Sequence, residues 1–190
     1  MKVYTPLIGE AIRFAVAVHA GQIRKGTTIP YITHPLTVAL ILARVTDDPE
    51  VIAAGILHDT IEDAEPRGSV TRKDIGEKFG KTVAVMVDDV TEQDKSLPWT
   101  ARKSAALDHI PEMGKKSLLL KTADVLANLS DQVEDVRTGG EKIFLRFNAT
   151  KKAQLDRYVK LTEALQSADP ENPLLPDLKE QLSALLTISK

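Results

Sequence analysis

No cysteine occurs anywhere in the chain. That excludes disulfide stapling, thiolate metal ligands and a cysteine nucleophile. A charge imbalance is missing too, since 25 Lys plus Arg against 27 Asp plus Glu leave a net charge of −2. Proteins that hold nucleic acid by bulk electrostatics usually carry a strong basic excess, so no nucleic-acid partner is expected. No apolar run approaches the roughly 18 residues of a membrane span. The apolar N-terminal stretch "AIRFAVAVHA" has Glu10 before it and Arg13 within it, and no small-residue cleavage site follows. A soluble cytoplasmic protein without membrane association is therefore expected. Repeats and low-complexity tracts are absent as well.

What is present is helical periodicity. Ile8, Ile12, Ala15, Val16 and His19 fall at helical spacing and stop at Gly21. The loop "QIRKGTTIPYITHP" follows, and residues 36–45 predict a second helix. Pro49 suits the first position of a third. Thr71 with Asp74 three residues on resembles a capping box at the start of a short helix. "KTVAVMVDDVTE" is β-branched and reads almost equally as strand or helix, but its helical neighbours and the lack of partner strands favour helix. Further helices are expected over 99–110, 115–130, 149–167 and 177–187, with "RTGGEK" as a break and "ADPENPLLP" as a linker. The fold class is all-α. One compact helical domain is expected over 1–168, with 169–190 a linker and a C-terminal helix packed on the same domain.

One stretch breaks the pattern of an apolar interior. "VIAAGIL" is apolar all round, as buried helices are, yet it runs directly into His58, Asp59, Glu62 and Asp63. Buried ionisable groups are costly unless they are paired or bound to a metal. If residues 55–64 are helical, all four side chains leave one face. His34, at the end of the Pro-rich loop, and Asp124, in the apolar "LLLKTADVLANLSD", offer two more ligands from separate segments. His34, His58, Asp59 and Asp124 give two nitrogens and two carboxylates. That set suits a divalent transition ion such as Mn²⁺, with Zn²⁺, Fe²⁺ or Mg²⁺ as alternatives. The chain has only 4 histidines, which argues against a histidine-rich two-metal cluster. His19 reads as a core or loop-anchoring residue and His109 as a surface one. Lys121 is either a partner of Asp124 or a surface residue.

The order of these motifs resembles the HD superfamily of metal-dependent phosphohydrolases. More narrowly, "HAGQIRKGTTIPYITHPLTVA", "GILHDTIEDA", "FGKTVAVMVDDVTEQDKSLP" and "LLLKTADVLANL" are similar to the hydrolase domain of RelA/SpoT-type enzymes and to stand-alone small alarmone hydrolases. The resemblance implies an HD domain with Mn²⁺ on His34, His58, Asp59 and Asp124. It implies Glu62 and Asp63 as the catalytic acidic pair, and Arg24, Lys25 and Asn128 as nucleotide contacts. The implied substrate is a small-molecule nucleotide, guanosine tetra- or pentaphosphate, losing pyrophosphate from its 3′ position to a metal-activated water. A homo-oligomer is left open.

Three departures stand out. The family pattern "ADRLHNLR" is "ADVLANLS" here, so Val125, Ala127 and Ser130 are expected to alter the substrate pocket. Trp99 stands where the stand-alone enzymes often carry Lys. Arg146, in "LRFN", is expected to restore a cation. Two competing readings remain: an HD phosphohydrolase acting on another nucleotide (a nucleoside monophosphate or a 2′-phosphorylated dinucleotide), or a binding module without turnover.

Overall fold

A computed structural model describes residues 4–66, 68–92, 98–147 and 149–189. Residues 93–97 of the "VTEQDKSLP" motif, Asn148 and the side chain of Trp99 lie outside the described residues. Nine α-helices occur among the described residues: α1 (Pro6–Val18), α2 (Thr33–Ala43), α3 (Pro49–Leu57), α4 (Arg72–Phe79), α5 (Lys81–Val90), α6 (Trp99–His109), α7 (Lys115–Gly139), α8 (Lys151–Ala168) and α9 (Leu175–Ile188). Short 3₁₀ turns span Ile110–Glu112 and Glu141–Arg146. The only extended pairing among the described residues is a bridge between Ile23 and Pro30, which closes the loop 23–30. No helix of the described residues is long and apolar enough to cross a membrane.

Local signals fix several helix starts. Thr5 accepts from the Ile8 N–H ahead of Pro6, and Asp48 accepts from the Glu50 N–H ahead of Pro49. Thr71 and Asp74 form the full reciprocal capping box. The undecided stretch 81–90 is helix α5, whose Val83, Met86, Val87 and Val90 turn inward.

Helix α3 is the hub. It packs against α1, α2, α5 and α7, and Val51 through Leu57 are all buried. Gly55 explains the closest of these contacts. A Cβ there would sit 2.6 Å from Leu42 Cδ1, so any other residue would have to displace the buried Leu42 side chain between α2 and α3. The long α7 packs on α2, α3, α5, α8 and α9. Helix α9 buries Leu178 and Leu185 completely. Just before it, buried Asn172 donates to Thr122 Oγ1 on α7 at 3.0 Å.

Two expected boundaries are corrected. Helix α2 starts at Thr33, three residues earlier than the sequence suggested, because Pro35 falls in the first turn, where its missing N–H costs nothing. Residues 55–64 are not one helix. Helix α3 stops at Leu57 and the chain continues as turns from His58. Polar side chains meet the end of the helix. Thr60 Oγ1 donates to the Leu57 carbonyl at 2.6 Å, and His58 Nδ1 lies 2.8 Å from the Gly55 carbonyl.

Candidate active site

The end of α3, the first turn of α2 and the middle of α7 meet at one point. His34, His58 and Asp59 each present a ligand atom within 4.8 Å of the others. Asp124 joins from the histidine side, with Oδ1 at 3.3 Å from His34 Nε2 and 3.8 Å from His58 Nε2. Both histidines and Asp124 are buried. His58 caps α3 with helical φ and ψ, and its Nε2 still comes within 3.2 Å of Asp59 Oδ1.

The protonation pattern fits a cation. A carbonyl acceptor at Nδ1 means that Nδ1–H of His58 donates to Gly55. Its buried Nε2 then has no hydrogen-bond partner and faces Asp59 Oδ1 at 3.2 Å. A bare lone pair opposite two carboxylates is repulsive, so a positive species belongs there, either a proton or a metal ion. Without metal, burial opposes charge on His58, but Asp59 and Asp124 outweigh it and raise its pKa to about 9. Burial likewise opposes ionisation of Asp59 and Asp124. For Asp59 the two histidines win, and for Asp124 Lys121 leads the histidines, so both carboxyls stay well below the usual range.

Around this centre the side chains are tied down. The Tyr31 hydroxyl lies 2.8 Å from Asp59 Oδ2 and 2.9 Å from Asp63 Oδ2. Burial first, then the two carboxylates, push its ionisation far up, so the phenol keeps its proton and serves one carboxylate at a time. Gln22 Nε2 donates to the Asp63 carbonyl at 2.7 Å, and His19 Nδ1 lies 2.8 Å from Gln22 Oε1. His19 is thus a buried anchor of this loop. Glu62 Oε2 accepts from the Glu92 N–H at 3.1 Å. Lys121 Nζ donates to Asp124 Oδ2 at 3.0 Å, and Asn128 Nδ2 donates to Asp124 Oδ1 at 2.7 Å. Asn128 Oδ1 in turn accepts from Arg24 Nη2 at 3.1 Å, and Arg24 also pairs with Asp131 at 2.7 Å.

These groups line a cavity of about 480 Å³, the size of a nucleotide site. Arg24, Lys25, His34, Asp59, Glu62, Asp63, Asp124 and Asn128 all face it, while His58 lies beneath. Arg146 does not line it. Its guanidinium pairs with Asp135 at 2.7 Å, and its methylenes cover Gly26, whose positive φ of 72° and crowded Cβ position require glycine. The cation expected from Arg146 is thus engaged with Asp135, and Arg146 itself stays outside the cavity lining. The "ADVLANLS" departures also fall off the cavity lining. Residues 121, 124, 128, 131, 132, 134 and 135 of α7 line the cavity, whereas Val125 and Ala127 are buried in the core and Ser130 is not in the lining. His109 pairs with Glu112 at the surface. Sequence reasoning missed Tyr31, Lys103 and Arg157, all of which face the cavity. Tyr31 sits three residues before His34, a spacing that was a usable signal. Lys103 and Arg157 come from α6 and α8 and carried none.

The model for the HD domain matches residues 11–162. The chain belongs to the HD domain family. As an HD-domain hydrolase it is an enzyme that takes a divalent metal ion, and the cluster of His34, His58 and Asp59 fits one. This HD-domain chain is 41% identical over 132 residues to guanosine-3′,5′-bis(diphosphate) 3′-pyrophosphohydrolase MESH1 of Danio rerio, covering 67% of this chain and 69% of that protein. It is 37% identical over 125 residues to the bifunctional (p)ppGpp synthase/hydrolase SpoT of Escherichia coli, covering 64% of this chain but 16% of that one. Among solved structures, a metazoan ortholog of SpoT described as hydrolysing ppGpp superposes with a TM-score of 0.76 at 27% identity, over 95% of this chain and 96% of the other.

Proposed function

We propose that the protein removes pyrophosphate from the 3′ position of guanosine 3′,5′-bis(diphosphate), with Mn²⁺ held by His34, His58, Asp59 and Asp124. The observation that carries this reading is the convergence of two buried histidines, two carboxylates and an adjacent acidic pair at the floor of one nucleotide-sized cavity, with His58 just beneath it. The 41% identity to a curated enzyme of that activity supports the substrate. Mixed nitrogen and carboxylate ligation supports Mn²⁺. A cytoplasmic location goes with this reading, as does a catalytic domain over 1–168 extended by 169–190.

When bound, the ion supplies a water that is nucleophilic near neutral pH and offsets charge on the attacked phosphorus. The chain's own residues do the rest. Glu62 and Asp63 face the cavity within a turn of Asp59, in reach to orient the water and move its proton. Tyr31 stands between Asp59 and Asp63 and donates to one of them at a time. Asn128 links Asp124 to Arg24, so metal ligand and nucleotide contact are positioned together.

The test is a product assay. Mn²⁺-loaded protein given guanosine 3′,5′-bis(diphosphate) is expected to release guanosine diphosphate and pyrophosphate in equal amounts. Turnover confined to a nucleoside monophosphate or a 2′-phosphorylated dinucleotide in a parallel panel would sink the reading. Arg24→Ala is expected to raise KM about ten- to a hundredfold, the worth of one hydrogen bond to a charged group, with metal content unchanged. Steady-state kinetics showing no change in KM would remove Arg24 from the substrate site.

A further inference from the structure

One part of the cavity gathers cations from helices that supply no candidate metal ligand as well as from α7. Lys121 lies about one turn before Asp124 on α7, on the opposite side from Asn128 and Asp131, where Arg24 docks. Lys103 from α6 and Arg157 from α8 line the same cavity. Lys103 and Arg102 both bond the single carboxylate of Glu92. Arg157 is half-buried and, among the described residues, forms no salt bridge. Its charge nevertheless reaches Glu92 and Lys103. Burial, followed by Arg157, pulls the Lys103 ammonium below its usual value. Lys103 and Lys121 are held by Glu92 and Asp124, so of the three cations that converge here from three helices Arg157 is the one without an ion pair among the described residues, and its guanidinium is left to meet an anion entering the cleft.

The position of this cluster says which anion. Lys121 bonds a candidate metal ligand, and Glu62 of the acidic pair accepts from the N–H of Glu92, whose carboxylate holds Lys103. The charge thus stands beside the point of attack. In a pyrophosphate ester the terminal phosphorus is one bridging oxygen away from the attacked one. A guanidinium fork matches phosphate oxygens in pairs. We infer that Arg157, together with Lys103, binds the terminal phosphate of the 3′-pyrophosphate and so makes the site select a pyrophosphate ester over a monophosphate ester. This rests on the pyrophosphohydrolase reading and adds the group that measures the length of the leaving anion.

The experiment compares wild type, Arg157→Ala and Arg157→Lys, all Mn²⁺-loaded with free Mn²⁺ held constant. Two substrates are used: guanosine 3′,5′-bis(diphosphate) and guanosine 5′-diphosphate 3′-monophosphate. Binding of inorganic pyrophosphate and of guanosine diphosphate is measured alongside by calorimetry. Arg157→Ala is expected to lower kcat/KM on the pyrophosphate ester about ten- to a hundredfold, and to leave the 3′-monophosphate ester within about threefold, since that ester makes no such bond. Pyrophosphate should bind more weakly by a similar factor while guanosine diphosphate does not change. Arg157→Lys should recover part of the loss. Unchanged pyrophosphate binding overturns the inference, and so does a loss that falls on guanosine diphosphate instead, which would put the 5′ end there. If wild type leaves the 3′-pyrophosphate intact, the functional reading fails, and the pyrophosphate-binding arm still decides the subsite.

Discussion

His58→Ala is expected to remove the divalent ion and the activity together. Its Nδ1–H is committed to the Gly55 carbonyl, and its Nε2 is the buried, unpartnered atom facing the carboxylates. Without that nitrogen the remaining groups are His34, Asp59 and Asp124, and the cavity floor gains a void. Asp124→Ala is expected to act in the same way and also to strand Lys121 and Asn128, which both donate to it. A metal ion supplies several kcal/mol of transition-state stabilisation, so turnover should fall by about a thousandfold or more. Elemental analysis after dialysis should find one ion per wild-type chain and well under one in each variant. Full metal stoichiometry in Asp124→Ala would overturn the ligand set.

Glu62→Gln and Asp63→Asn are expected to separate metal from chemistry. Neither residue belongs to the close cluster of His34, His58 and Asp59, so the ion should stay. Both face the cavity, and a positioned acid or base contributes about 10²–10⁴-fold. The loss should appear in kcat with KM little changed, because the group acts on the proton in flight more than on substrate binding. Asp63→Asn carries a second burden, since Tyr31 then meets an amide at one of its two partners. Two variants that turn over at the wild-type rate would reduce the pair to structural carboxylates at the end of α3.

Much of this was legible in the sequence, for physical reasons that differ by residue. His58 and Asp59 announced themselves because they follow seven buried apolar positions. Asp124 did so because it interrupts an apolar stretch of α7. The helix order could be read from periodicity, and Thr71 with Asp74 from local capping chemistry. The end of α3 could not. Helical spacing carries on through residues 58–63, whereas the chain turns after Leu57, with the Thr60 N–H on the Leu57 carbonyl at 2.9 Å. Lys103 and Arg157 were invisible because long-range packing alone brings α6 and α8 to the cavity. Val125 and Ala127 misled for the converse reason. They neighbour candidate site residues in sequence, yet lie buried on a different face of the helix.

The candidate ligands come from α2, the end of α3 and the middle of α7, elements that an unfolded chain does not hold together. Gly55 joins the two levels: its missing Cβ leaves room for the buried Leu42 side chain between α2 and α3, and its carbonyl orients His58. Core packing and metal capture are therefore one thermodynamic event. An ion that binds only the folded form adds about 2.7 kcal/mol when present at a hundredfold excess over its dissociation constant, a large share of the 5–15 kcal/mol that typically separates folded from unfolded domains. Metal supply thus sets how much folded enzyme exists as well as how fast each molecule works. Starving the chain of its ion would lower its abundance before any substrate is consulted.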